Sequence, residues 1–214
     1  MSRYAAVRAR TEELCRPLEV EDYVVSSMPD VSPTKWHLAH TSWFFETLVL
    51  GPHAPDYRTP DTRYAFLFNS YYVQAGERHC RAQRGLVTRP GTAEIGRYRQ
   101  HVDAAVQALL QDEPSDQLHT LVELGINHEQ QHQELLVMDA KHLLSMHSFR
   151  PALVARPIED DPDPAPLTWR RVPGGLVQVG HDVGHPGFAY DNEGPRHTVW
   201  LDPYQISERA VTNE

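Results

Sequence analysis

The pentapeptide His128-Glu129-Gln130-Gln131-His132, set inside the run from Leu121 to Leu144, decides how this chain is read. Leu121, Leu124, His128, His132, Leu135 and Asp139 recur at steps of three and four, the period of one helix face. The spacing predicts a long helix, capped by Ser115 or Asp116 and reaching about Met146, with both imidazoles on its inward apolar stripe. Side chains four apart on a helix have Cβ atoms roughly 6 Å from one another. Buried imidazoles need partners for their ring nitrogens. One shared metal ion satisfies both; the plain alternative is a pair of structural histidines, each hydrogen-bonded separately.

A second helix carries a third imidazole. Ser32-Pro33 reads as a helix start, with Ser at the N-cap and Pro at the first helical position. The helix is expected to run from Thr34 to about Leu50 and to stop at Gly51-Pro52. Stepping along it gives Trp36, His40, Trp43, Phe44 and Thr47, so His40 sits among aromatics on the buried face. His37 competes for the same role but lies about 100° off that stripe. Residues 3–15 and Thr92 to Asp112 complete the helical set, the latter with Ile95, Val102, Ala105, Val106 and Leu109 in helical period. Four or five connected helices indicate an up-and-down bundle, in which two inward ligand-bearing helices can meet at the axis. His40, His128 and His132 then offer three nitrogens to one ion.

After Arg150 the text changes. Residues 149–167 are rich in Pro and Asp and read as a linker between a helical bundle, residues 1–148, and a β-rich part, residues 168–214. Val172, Leu176 to Val179 and His197 to Leu201 read as about three strands, with Gly174-Gly175 as a turn. So short a β segment does not close a core alone, which suggests the opening of a larger domain. The formal net charge of −9 gives no electrostatic support for a nucleic-acid partner. Two cysteines, Cys15 and Cys80, give no disulfide framework. The N-terminus lacks the apolar run of a signal peptide and no stretch approaches a membrane span, so a cytoplasmic location is expected.

Letter for letter, the pentapeptide is also the H-E-x-x-H of zinc peptidases, in which Glu129 would be the general base. The longer form of that motif fails, because Leu135 and Met138 stand where Gly and His are required. Glu134 lies off the face and Glu159 falls in the linker, so no downstream glutamate supplies a third ligand. An all-nitrogen ligand set suits zinc, copper, nickel or iron and does not name the ion.

Five ordered stretches, read together, resemble one family: Ser32 to Thr41 (SPTKWHLAHT), Phe68 to Tyr72 (FNSYY), Arg81 to Leu86 (RAQRGL), His128 to Glu134 (HEQQHQE) and Tyr190 to His197 (YDNEGPRH). Their order and content are similar to those of the ergothioneine-type sulfoxide synthases. These join a DinB-like four-helix bundle to a formylglycine-generating-enzyme-like, C-type-lectin-like domain. The resemblance implies a non-haem iron(II), dioxygen-dependent oxidoreductase. Its substrates would be trimethylhistidine (hercynine) and the thiol of cysteine or γ-glutamylcysteine, with the SPTKWHLAHT form leaning toward free cysteine.

Carried onto this chain, the resemblance makes His40, His128 and His132 the Fe(2+) ligands, in agreement with the stripes. It assigns Gln131 to the substrate imidazole, and Arg81 and Arg84 to the carboxylates of the thiol substrate, a task that suits the bidentate guanidinium fork. Tyr71 and Tyr72 are candidates for lining or packing near the site. Asp191-Asn192-Glu193 reads as a structural turn. Glu129 is expected to be a supporting or solvent-facing residue. Most of the family's trimethylhistidine-binding residues and its catalytic tyrosine lie further into the second domain than Glu214. The chain is therefore expected to behave as a fragment that binds iron but turns over poorly without the rest of that domain. The competing readings are a zinc hydrolase using Glu129 and a DinB-type metal-binding thiol transferase without oxygen chemistry.

Overall fold

The structure is a computed structural model that describes residues 2–70, 76–111, 114–155, 166–182 and 184–211. The chain divides into two compact units, Met1–Ala155 and Arg156–Glu214.

Four longer helices build the first unit: α1 (Arg3–Cys15), α2 (Thr34–Phe44), α5 (Thr92–Leu109) and α6 (Asp116–Met146). Two short ones, α3 (Gly51–His53) and α4 (Tyr64–Leu67), and a 3₁₀ turn over Arg81–Leu86 fill the connection between α2 and α5. The Ser2 and Ser115 hydroxyls accept the Ala5 and Leu118 amides, each satisfying one of the orphan donors of a helix N-terminus. Helix α6 thus starts where its sequence signal stands. Helix α2 does not use Ser32 as its cap: Pro33 occupies that position, and no side chain caps the helix. Ser32 is engaged elsewhere, its hydroxyl accepting from Arg84 and its backbone N–H donating to Asp139. Nor does the second helix end at Leu50. It loosens into a π-helical stretch, Phe45–Leu50, and runs on into α3, since Pro52 lies in the first turn of that segment and lacks only a donor the turn does not need.

Helix α2 lies between α5 and α6, and each of its eleven residues is buried. A helix apolar or satisfied all round belongs to an interior, which is why a single stripe underdescribes it. Helix α6 buries Leu118, Val122, Gly125, Ile126, Glu129, Leu136 and Ala140 against its neighbours. The stripe expected from the leucines is therefore rotated: Leu121 and Leu124 are half-buried and Leu135 is exposed. His128 and His132 sit at the edge of the buried face, where it opens onto a cavity. Close approach fixes Gly125, because a Cβ there would stand 2.5 Å from Cε1 of Phe45.

A buried polar cluster ties α1, α5 and α6 together. Glu129, fully buried, receives Arg8 at 2.9 Å, Arg99 at 2.6 Å and the Thr11 hydroxyl at 2.6 Å. Arg8 also pairs with Asp103 at 2.5 Å. Tyr57 and Tyr98 both donate to the Glu46 carboxylate, each at 2.6 Å. No helix among the described residues is long and apolar enough to cross a membrane.

The second unit carries four strands: β1 (Trp169–Val172), β2 (Gly175–Val179), β3 (His197–Leu201) and β4 (Tyr204–Ser207). They form two antiparallel pairs, β2 with β3 nested between β1 and β4 in sequence. The fourth strand is one more than the sequence suggested. The Gly174-Gly175 turn is real: φ is +75° and +107°, values glycine tolerates. Asp191–Glu193 is a 3₁₀ turn closed by the Glu193 carboxylate on the Tyr190 amide, as its composition suggested. Among the described residues of this unit none is buried, and Leu176 and Trp200 face each other across β2 and β3 while exposed. The Pro- and Asp-rich stretch expected to link the units lies mostly outside the described residues.

Candidate metal centre

Two helices supply the three imidazoles that the sequence singled out. His40 projects from α2, and His128 and His132 stand one turn apart on α6. Each offers a ring nitrogen, and the three nitrogens lie within 4.8 Å of one another. The ring centroids are 4.6 Å apart for His40–His132 and His128–His132 and 5.0 Å for His40–His128. Three imidazoles around one ion at about 2.1 Å need nitrogen separations of roughly 3 Å, so small side-chain adjustments suffice.

Proton placement favours the same conclusion. His40 Nδ1 donates to the Phe68 carbonyl at 2.6 Å, which leaves the lone pair on Nε2. Nε2 of His128 lies only 3.2 Å from it. Nδ1 of His128 is buried and has no hydrogen-bond partner among the described residues. Burial pushes the pKa of His40 and His132 well below 6.5, with the neighbouring imidazoles adding to the effect. Burial likewise brings His128 down to about 4, against the opposing pull of Glu129. All three are neutral near pH 7, the form that ligates a metal. Trp36 stacks on His40 at 4.5 Å and Phe44 on His128 at 4.6 Å, so packing holds the ring planes. This donor set can bind a metal ion, and its chemistry leaves the identity of the ion open.

A cavity of about 300 Å³ opens beside the triad. Arg81, Arg84 and Gln131, the other residues picked from the sequence, all line it. Arg84 is buried, its guanidinium 3.4 Å above the Trp36 ring and donating to Ser32 and Ser70. Arg81 lies at the rim and donates to the Asp30 carbonyl. Gln131 is exposed on α6 between the two histidines. Tyr71 and Tyr72 lie outside the described residues, and Cys80 is exposed.

Two expectations need correcting. Glu129 is neither solvent-facing nor beside the triad's open side. It points the other way, into the arginine cluster, where burial alone would raise its pKa but Arg8 and Arg99 outweigh that and bring it to about 2. A carboxylate so placed is a poor proton acceptor at neutral pH. His37 was set aside for lying off the stripe, yet it is buried, and its Nδ1 is 2.9 Å from Nδ1 of His132. Its Nε2 is 3.0 Å from Asp139. The signal was present: His37 precedes His40 by three, and Asp139 follows His132 by seven, two helical turns on.

Fold and site together define a helical bundle whose interior histidines can hold a metal. Residues 3–144 match the DinB superfamily, about two-thirds of the sequence, and the chain belongs to that superfamily. Among curated proteins, none matches it.

Proposed function

We propose that this protein is a non-haem iron(II), dioxygen-dependent sulfoxide synthase of the ergothioneine type. It would join the thiol of cysteine or γ-glutamylcysteine to the imidazole of trimethylhistidine. The observation that carries this reading is the cluster of three neutral imidazoles on a cavity lined by two arginines and an amide. The five ordered sequence stretches supply the choice of reaction, and in this reading the β-rich unit belongs to a formylglycine-generating-enzyme-like domain.

The overall step balances as thiol plus imidazole C–H plus dioxygen giving sulfoxide plus water. A carbon–sulfur bond forms, one oxygen atom ends on sulfur and the other leaves as water with the two displaced hydrogens. The iron, when bound through His40, His128 and His132, would supply the redox chemistry and up to three open positions. In this reading the chain's own residues place the reactants: Arg81 and Arg84 put guanidinium charge on the cavity wall to attract substrate carboxylates, and Gln131 an amide for the substrate ring. Trp36, stacked between Arg84 and His40, fixes the distance from carboxylate site to metal side.

The zinc-hydrolase reading loses its base, since Glu129 is locked into the arginine cluster. A metal-binding DinB-type thiol transferase without oxygen chemistry is the alternative. Oxygen consumption by the iron-loaded protein separates the two. Uptake that requires both trimethylhistidine and a thiol, with a sulfoxide detected by mass spectrometry, supports the synthase. Iron binding with thiol binding but no coupled oxygen uptake, also when a formylglycine-generating-enzyme-like domain is supplied, sinks it in favour of the transferase.

A further inference from the structure

We infer that Asp139 and His37 form a relay that fixes the tautomer of His132, holding its lone pair on Nε2, the nitrogen that His37 does not engage. The three groups are in line. Asp139 Oδ2 is 3.0 Å from His37 Nε2, and His37 Nδ1 is 2.9 Å from His132 Nδ1. The same carboxylate oxygen accepts the Ser32 backbone N–H at 2.9 Å, which anchors it to the start of α2. His37 and Asp139 are both buried, and Trp36 stands edge-on to the His37 ring at 5.7 Å.

The proton order follows from donor and acceptor capacity. Asp139 Oδ2 already accepts the Ser32 N–H, so it acts as an acceptor here and His37 carries its proton on Nε2. A neutral imidazole has one proton, so Nδ1 of His37 is an acceptor. Two ring nitrogens 2.9 Å apart need one proton between them, and His132 must supply it from Nδ1. Its Nε2 is then bare, the nitrogen left to share an ion with His40 and His128. The reversed order would put hydrogen on that Nε2, where a metal has to bind. Carboxylate or carbonyl partners commonly orient metal-bound histidines in this way. Here a second histidine is interposed between the carboxylate and the ring it orients. His37 and Asp139 are positioning residues that act through His132.

The consequence for metal affinity rests on the triad holding an ion; the tautomer does not. Two readouts keep the two apart. Long-range proton–nitrogen NMR of the metal-free protein should show His132 protonated on Nδ1, with that preference lost in His37→Phe. Cobalt(II) titration should show one ion per chain, bound about 10–100-fold more weakly in His37→Phe and in Asp139→Leu. His37→Gln, whose amide oxygen can accept the Nδ1 proton, should recover affinity to within a few-fold of wild type. A wild-type His132 protonated on Nε2 overturns the relay, as does wild-type cobalt affinity in His37→Phe. If the wild type binds no cobalt, the metal reading falls and the NMR spectrum alone decides the relay. The wild-type spectrum also serves should a variant fail to fold.

Discussion

Replacing Glu129 by Gln separates a structural carboxylate from a catalytic one. Glu129 is fully buried and holds two guanidiniums and a hydroxyl within 2.9 Å. Its carboxyl is held at about 2 against an ordinary 4.5, which at about 1.4 kcal/mol per pKa unit corresponds to roughly 3 kcal/mol favouring the charged, folded form. Removing one partner of a buried ion pair costs about 3–5 kcal/mol, because the charge left behind is unpaired. Among carboxylates of the described residues, Arg99 would keep Glu12, 3.4 Å away and mostly exposed, and Arg8 would keep Asp103. Gln preserves shape and can still accept two of the three hydrogen bonds, so the loss combines the charge with one donor-to-donor contact. We expect Glu129→Gln to lower the thermal midpoint by roughly 10 °C, at about 2–4 °C per kcal/mol for a unit of this size. It should still bind one metal ion per chain. Thermal denaturation followed by circular dichroism, with metal analysis by mass spectrometry, checks both. A variant as stable as wild type refutes the argument. So does one that keeps stability and metal but loses a hydrolytic activity, since that outcome would restore Glu129 as a base.

Three further outcomes are expected. Gly125→Ala should cost about 1–3 kcal/mol in urea denaturation, because its Cβ would meet Phe45 ring atoms at 2.5 and 2.7 Å. The metal-free protein should lose stability on acidification: the folded pKa of His128 is lowered from 6.5 to about 4, and those of His40 and His132 are also lowered. Their contribution is present in full above pH 6.5 and is lost as pH falls toward 4 and below, because the unfolded chain takes up protons first. Urea midpoints at a series of pH values read it, and a flat profile through this window contradicts it. Arg81→Ala should weaken cysteine binding to the cobalt-loaded protein about tenfold, the loss of one hydrogen bond to a charged group, read as the thiolate charge-transfer band.

Much of the bundle was legible because α6 and α5 keep the helical period and Ser115 gives α6 a clear cap. The triad was legible because His128 and His132 share one helix face and His40 sits in an aromatic run. Helix α2 was less so. It is buried on all sides, so no stripe could rank His37 against His40, and the π-helical stretch after Phe44 breaks the period used for counting. Glu129 was misplaced for a related reason. Its partners Arg8, Thr11 and Arg99 lie on two other helices, and only the packed fold brings them to it. The short strands β1 and β4 pair across more than thirty residues, a register no local pattern encodes.

Anaerobic iron(II) titration of the wild type beside His40→Ala bears most directly on the triad. The account predicts one tightly bound ion per chain in the wild type and at least a hundredfold weaker binding in His40→Ala, a chain with two imidazoles in place of three. Equal affinity in the two would show that His40 is no ligand and would contradict the three-histidine centre.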